Sequence, residues 1–531
     1  MMLPEDMRLW VGPDHLVWFV IEVIEGLDSA ALESLGKPGK GRPGYDPRML
    51  AVLLIYAYLQ AERSSRRIEE RCRTDAAFRI ATGNRVPDHS TICRFRAAAA
   101  RPGGPLEDLF IQVLFVLASA GLGRLDVISV DGSKIWANAS KEANRTEEGL
   151  RKLARKILDD AARADGEGCA CAGHEHAEAA GLTGPDSCGC CDGGMLPGLG
   201  LEGPAAPRGG WGGATRAQRI SGGLAELEAA RLAREGTRRA EAEKYLAAAR
   251  AGTAPRGGVP AVIAVEVAEI RLERALADQA ATDARWAGRG KPGRHRDGQE
   301  SAAVRKARGK LRAAVQARAD TARNAAQKTG KKKEPRPVRN ITDPDSRVMH
   351  CTLRGTVQSY NCLVPRAGGG VFLLPRVTQD ANDSLQVSPA LEDIARSREI
   401  IAAGHAAGGR PSFWSAIGTI LFDNGFFSRK NIELPGPDRL IGTGAWKDPG
   451  PHGPHCAHDD PRDQMHHNLA TPQGAGLYRN RAPVSEGGFA DLKERTGLRQ
   501  FAMRGIDKAQ GELLLALAAA NIHLFYRTRL A

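Results

Sequence analysis

Leu125-Asp-Val-Ile-Ser-Val-Asp131-Gly132 is where the chain changes character. The run is apolar and β-branched, closes on an acid and a glycine, and continues as Ser-Lys-Ile-Trp-Ala-Asn. That pattern predicts a buried strand ending at Asp131. A carboxylate at the end of a central strand opens onto the edge of a sheet, where ligands are commonly held. An ordinary Asp-Gly turn is the competing reading.

Two later stretches extend the theme. Ser415-Ala-Ile-Gly-Thr-Ile-Leu-Phe-Asp423-Asn-Gly-Phe is another apolar strand that closes on an acid. Tyr478-Arg-Asn-Arg-Ala-Pro-Val-Ser-Glu-Gly-Gly-Phe-Ala-Asp-Leu-Lys493 ends in a helical pattern, with Phe489, Leu492 and Leu498 apolar. Glu486 and Lys493 lie about two turns apart and share a face. A carboxylate and an ammonium together, with Tyr478 and Arg481 just upstream, suit a site for metal and phosphate; a solvated charge pair is the alternative.

Outward from these, residues 1–122 read as helical. Val17–Ile24 is an apolar run, and Pro47–Leu59 carries proline at a helix start. Short amphipathic pieces follow at 64–72, 74–82 and 88–96, the last capped by Asp88 or Ser90. Its Ile92 and Phe95 face a core, leaving His89, Thr91, Arg94 and Arg96 to point outward. Several short helices ending in a polar, basic one form either a helix-turn-helix or a plain bundle. Strand character returns at 348–365 and 370–378, followed by a helix over 384–403. Residues 444–477, rich in His, Pro and Gly, read as a loop, and Leu513–Phe525 as an apolar helix packing on the sheet.

Residues 142–340 differ: Ala, Arg, Glu and Gly dominate, with helical runs at 217–251, 261–286 and 301–327 too polar for a compact core of their own. Net charge is +13, and it has an address. Residues 285–340 hold 18 Lys or Arg against 4 Asp or Glu. Such a block either attracts polyphosphate by counterion release or serves as a solvated linker. The insertion also carries Cys169, Cys171, His174 and His176, then Cys188, Cys190 and Cys191. Thiolates and imidazoles are zinc ligands, but Cys-x-Cys and His-x-His are not the usual zinc spacing. The favoured expectation is a thiol cluster that holds zinc loosely or not at all. A second group, His452, His455, Cys456, His458, His466 and His467, reads as incidental. Scattered cysteines elsewhere exclude a disulfide framework. No apolar run is long enough to span a membrane, and the first residues lack the pattern of a signal peptide. A cytoplasmic protein is expected.

Asp131, Asp423 and Glu486 thus come in the order strand with Asp, strands, helix, strand with Asp, helix with Glu. That is the order of a ribonuclease H-like mixed sheet whose carboxylates meet at one edge. In these segments the chain resembles the DDE transposases of bacterial insertion sequences, in the branch with a Tyr-Arg-Glu-Lys signature. Arg42–Leu50, Pro87–Arg96, Val130–Ala139, Thr342–Arg347, Val357–Asn361, Val377–Asp383, Asp423–Phe426 and Tyr478–Lys493 carry the likeness. One departure is Gly487-Gly488, which weakens the helix bearing the last acid.

The resemblance implies an α/β catalytic domain at 123–141 and 341–531, a helical DNA-binding domain at 1–122, and a helical insertion at 142–340. It implies an enzyme that binds terminal inverted repeats, cleaves DNA and transfers strands. Asp131, Asp423 and Glu486 would hold two Mg2+ ions, for which Mn2+ can substitute. Tyr478, Arg481 and Lys493 would contact DNA phosphates, as would His89, Thr91 and Arg94 in the helical domain. Partners would be transposon ends and target DNA, in a homodimeric or larger synaptic complex near the bacterial nucleoid. The alternatives are an inactive DNA-binding remnant and a ribonuclease H-like nuclease without strand transfer.

Overall fold

A computed structural model of the protein describes residues 6, 9–36, 44–168, 215–253, 258–287, 300–327, 337–351, 355–444 and 460–530. Among these, no helix is long and apolar enough to cross a membrane. The Cys/His cluster at 169–191 and the group at 452–458 lie outside the described residues.

Seven helices come first: α1 (Leu16–Glu25), α2 (Ala30–Glu33), α3 (Pro47–Leu59), α4 (Ser65–Thr74), α5 (Ala76–Ala81), α6 (His89–Ala99) and α7 (Pro105–Ser119). Local chemistry sets their starts. Asp46 accepts from the Arg48 N–H ahead of Pro47, Asp75 from those of Ala77 and Phe78, and Asp88 from those of Ser90 and Thr91. Ten residues of α3, Leu50 to Leu59, are buried, so this helix is a core element. Arg96, expected to point outward, is instead 3% exposed. Its guanidinium donates to the Arg63 carbonyl at 2.9 Å and to Ser65 Oγ at 3.3 Å, beside the Tyr58 hydroxyl. Those acceptors make a buried charge tolerable there.

The sheet has the order β4-β5-β1-β7-β8, with β6 also paired to β5. Its strands are β1 (Val127–Trp136), β4 (Arg347–Cys351), β5 (Gly355–Ala367), β6 (Arg376–Thr378), β7 (Thr419–Phe422) and β8 (Arg439–Ile441). Central β1 runs antiparallel to β5 and parallel to β7. The expectation that it ends at Asp131 needs correction. Parallel pairing stops at Val130↔Phe422, but β5 continues beside β1 as far as Trp136↔Ser359. Asp131 therefore ends the β7 pairing, not the strand. In the stretch 370–378, only Arg376–Thr378 forms a named strand.

Helix α12 (Val387–Ala407) packs on α7. The predicted loop at 444–477 is helical over its described part, as α14 (Pro461–Ala470) and α15 (Pro472–Arg479), after a short α13 (Arg429–Glu433). Asp460 caps α14 and Thr471 caps α15, each just before a proline. Helix α16 (Arg481–Arg495) lies on β1 and β5. Helix α17 (Ile506–Leu530), apolar nearly all round, is wedged among α3, α7 and β6. Buried side chains of the first helices, the sheet and α17 form one continuous hydrophobic cluster, so the expected boundary at 122 is no gap in the core.

The chain divides into two compact units, residues 1–223 with 339–531, and residues 224–338. The expected insertion at 142–340 is thus shared between them. Strand β2 (Asn144–Thr146), helix α8 (Glu147–Gly168) and the start of α9 (Arg216–Ala251) go with the first unit. There β2 pairs with β3 (Val338–Asn340), and the Ile341 N–H donates to the Ala143 carbonyl at 3.1 Å. The second unit holds the rest of α9 with α10 (Ala264–Ala287) and α11 (Ala302–Gln327). It has a small buried cluster, Tyr245, Ala249, Ile263 and Val267.

Candidate active site

Strand register alone brings two of the expected acids together. Asp131 and Asp423 each follow the last residue of the parallel β1–β7 ladder, Val130↔Phe422, so they emerge side by side. Asp131 Oδ1 accepts from the Gly132 N–H at 2.9 Å, and Asp423 Oδ1 from the Gly425 N–H at 2.8 Å. Burial first, and then the charge of Asp423, pushes the Asp131 carboxyl up to about 6. Burial also raises Asp423, with Asp383 adding to the effect. Arg481 works the other way on both.

The last expected acid rides on α16. The side chain of Glu486 lies outside the described residues, but its helix is fixed at several points. Lys493 Nζ donates to Ser133 Oγ of β1 at 2.8 Å, and burial lowers its pKa. Arg366 of β5 donates from Nη1 to the Val484 carbonyl at 2.9 Å. The expected weakness at Gly487-Gly488 thus has a structural reason. A Cβ at 488 would meet Arg366 Cδ at 3.1 Å and the Phe372 ring at 3.2 Å. Glycine at 488 lets the arginine lie against the helix.

Tyr478 on α15 donates from its hydroxyl to the Phe422 carbonyl at 3.1 Å, one residue before Asp423, and its own pKa is raised by burial. The Arg481 guanidinium lies 5.9 Å from the Tyr478 ring centre. Tyr478, Arg481 and Lys493 therefore border the two aspartates. His89, Thr91 and Arg94 belong to α6 instead. There the His89 ring meets Glu69 at 2.8 Å and Thr91 Oγ1 donates to Asp88 at 2.6 Å. Arg94 is exposed and reaches back to Ser90. His466 sits on α14 against Thr443.

Asp383 is a site residue that sequence reasoning misses, although its segment is part of the resemblance. Its Oδ1 accepts from Asn361 Nδ2 at 2.5 Å and Lys134 Nζ at 3.2 Å. Asp383 adds negative charge to both Asp131 and Asp423. An acid immediately ahead of a helix on the sheet edge is the signal that could have found it. Among the described residues, no three His, Cys, Asp or Glu side chains form a closed metal cage. The site is a set of neighbouring hard oxygens around a half-buried edge, a donor chemistry that fits a magnesium-like cation.

Residues 5–98 match the family model described as Transposase domain (DUF772), and residues 454–525 match the one described as Transposase DDE domain. The two matches support a DDE-type transposase. The first takes in α1 to most of α6; the second takes in Tyr478, Arg481, Glu486 and Lys493. No curated protein and no solved structure matches the chain.

Proposed function

We propose that this transposase binds the terminal inverted repeats of a bacterial insertion sequence, cleaves DNA at their ends and joins them to target DNA. The observation that carries this reading is the emergence of Asp131 and Asp423 side by side, with Tyr478, Arg481 and α16 bordering them. Asp131, Asp423 and Glu486 would hold the metal. Two divalent cations, when bound, would activate the attacking oxygen and stabilise the leaving one. Arg481 and Lys493 supply positive charge for the scissile phosphate, and Tyr478 fixes the β7 carbonyl ahead of Asp423. The exposed face of α6, with His89 and Arg94, would grip DNA away from the chemistry. Synapsis of two ends requires at least a dimer, and DNA as substrate places the protein at the nucleoid.

The test is cleavage of labelled DNA carrying the element's ends, with Mg2+, by the unmutated chain and by Asp131→Ala and Glu486→Ala. Cutting abolished in both variants, with DNA binding retained, is the expected result. Cutting that survives Asp131→Ala would remove the three-acid site. Binding without cutting by every form would leave a DNA-binding remnant, and cutting without joined products would leave a nuclease.

A further inference from the structure

Asp383 stands against the two glycines that accompany the predicted acids. A Cβ built on Gly132, next to Asp131, would lie 2.8 Å from Asp383 Oδ1. One built on Gly425, two residues after Asp423, would lie 3.7 Å from Asp383 Oδ2 and 3.0 Å from Asp423 Oδ1. The Asp383 carboxylate therefore fills the notch that Gly132 leaves open and reaches the flank of Asp423. Lys134 and Asn361 both engage its Oδ1, while Oδ2 has no hydrogen-bond partner among the described residues.

Asn361 adds an independent observation. The residue is wholly buried, its Nδ2 is spent on Asp383 and the Asp380 carbonyl, and its Oδ1 has no partner among the described residues. That oxygen lies 3.4 Å from the same Gly132 Cβ position that Asp383 Oδ1 crowds. Buried polar atoms in native proteins are nearly always satisfied, and an orphan calls for an ion or a water. Hard divalent cations take carboxylate and amide oxygens together.

We propose that Asp383 joins Asp131 and Asp423 in holding a divalent cation, with the Asn361 side-chain oxygen as a neutral ligand beside it. This rests on the metal-dependent reading of the site given above. A role limited to pairing with Lys134 accounts for Oδ1 alone; it leaves the placement of Oδ2 toward Asp423 and the orphaned amide oxygen without a purpose.

The test is Mn2+ binding to the full chain without DNA, monitored as the fall in the free-ion electron paramagnetic resonance signal. The unmutated protein is compared with Asp131→Asn, Asp383→Asn and Lys134→Met, with folding checked by thermal melting. Asp383→Asn keeps shape and removes charge, and it should weaken Mn2+ binding ten-fold or more, as Asp131→Asn does, whereas Lys134→Met should not. Unchanged affinity in Asp383→Asn beside a loss in Asp131→Asn would overturn the inference and leave the active-site reading standing. No Mn2+ uptake by the unmutated chain would overturn both. A variant-free check is backbone cutting by Fe2+ with ascorbate and peroxide. Cuts beside 131, 383 and 423 are expected, and cuts at 131 and 423 without one at 383 would overturn it.

Discussion

Asp343 gives the most direct test of how burial shapes this molecule. It is fully buried between β3 and β4, where the Tyr360 hydroxyl of β5 donates to both its oxygens at 2.8 and 2.9 Å. The Gly505 N–H, at the entrance to α17, donates to Oδ1 at 3.1 Å. Burial nonetheless outweighs these bonds, and with nearby Asp345 it pushes the carboxyl from 3.8 up to about 6. The folded state thus holds a proton that the unfolded chain releases, so this stability is fully present below 3.8 and is lost as pH rises through about 6. In full it amounts to about 3 kcal/mol, of which about 1.4 kcal/mol falls between about pH 5 and pH 8. Asp343→Asn cannot titrate. Its stability relative to the unmutated protein should therefore improve by about 1.4 kcal/mol across that interval, measured by urea denaturation in chelator. Constant packing differences cancel from this comparison. A difference between the two proteins that stays flat from pH 5 to pH 8 would refute the reasoning.

The glycine pair in α16 should separate cleanly. Gly488→Ala crowds Arg366 and Phe372 and should lose about 1 kcal/mol net, while Gly487→Ala, whose Cβ meets only Arg366 Nη1 at 3.8 Å, should gain up to ~1 kcal/mol; equal melting temperatures would refute this. Arg366→Met removes the donor to the Val484 carbonyl and should lower DNA cleavage while sparing DNA binding, read in parallel gel assays. Arg305, Lys306, Lys310 and Arg312 are exposed on α11 with no ion-pair partner among the described residues. Changing all four to Gln should shallow the plot of log affinity for DNA against log salt by as much as ~0.9 for each phosphate no longer neutralised, and an unchanged slope would assign α11 a linker's role.

Helix α3 is legible to the residue, because an aspartate followed by proline caps and starts it and an apolar run sustains it. The adjacency of Asp131 and Asp423 is legible only as order along the chain; register between strands far apart in sequence has to bring them together. The extension of β1 past Asp131 depends on the length of β5, which no local pattern near residue 131 reveals. Helices α14 and α15 read as loop when His, Pro and Gly are weighed as breakers. Asp460-Pro461 and Thr471-Pro472 are the same cap-and-proline signal that identifies α3. Helical period places Arg96 outside, but the buried carbonyl and hydroxyls that receive it come from two other segments. Asp383 escapes for a similar reason, since its significance lies in Gly132 and Gly425, each remote in sequence.

The short β2–β3 ladder has a consequence for how this chain can be edited. It ties residue 146 to residue 338 at the point where the polypeptide leaves the sheet and returns to it. Everything between behaves as a cassette with a zipped mouth. The zipper holds the two ends together whatever the length of what is threaded between them, and lengthening such a loop adds only a slowly growing entropic cost. A gene that tolerates large in-frame gains or losses at this one place, while resisting them a few residues to either side, is what such a closure allows.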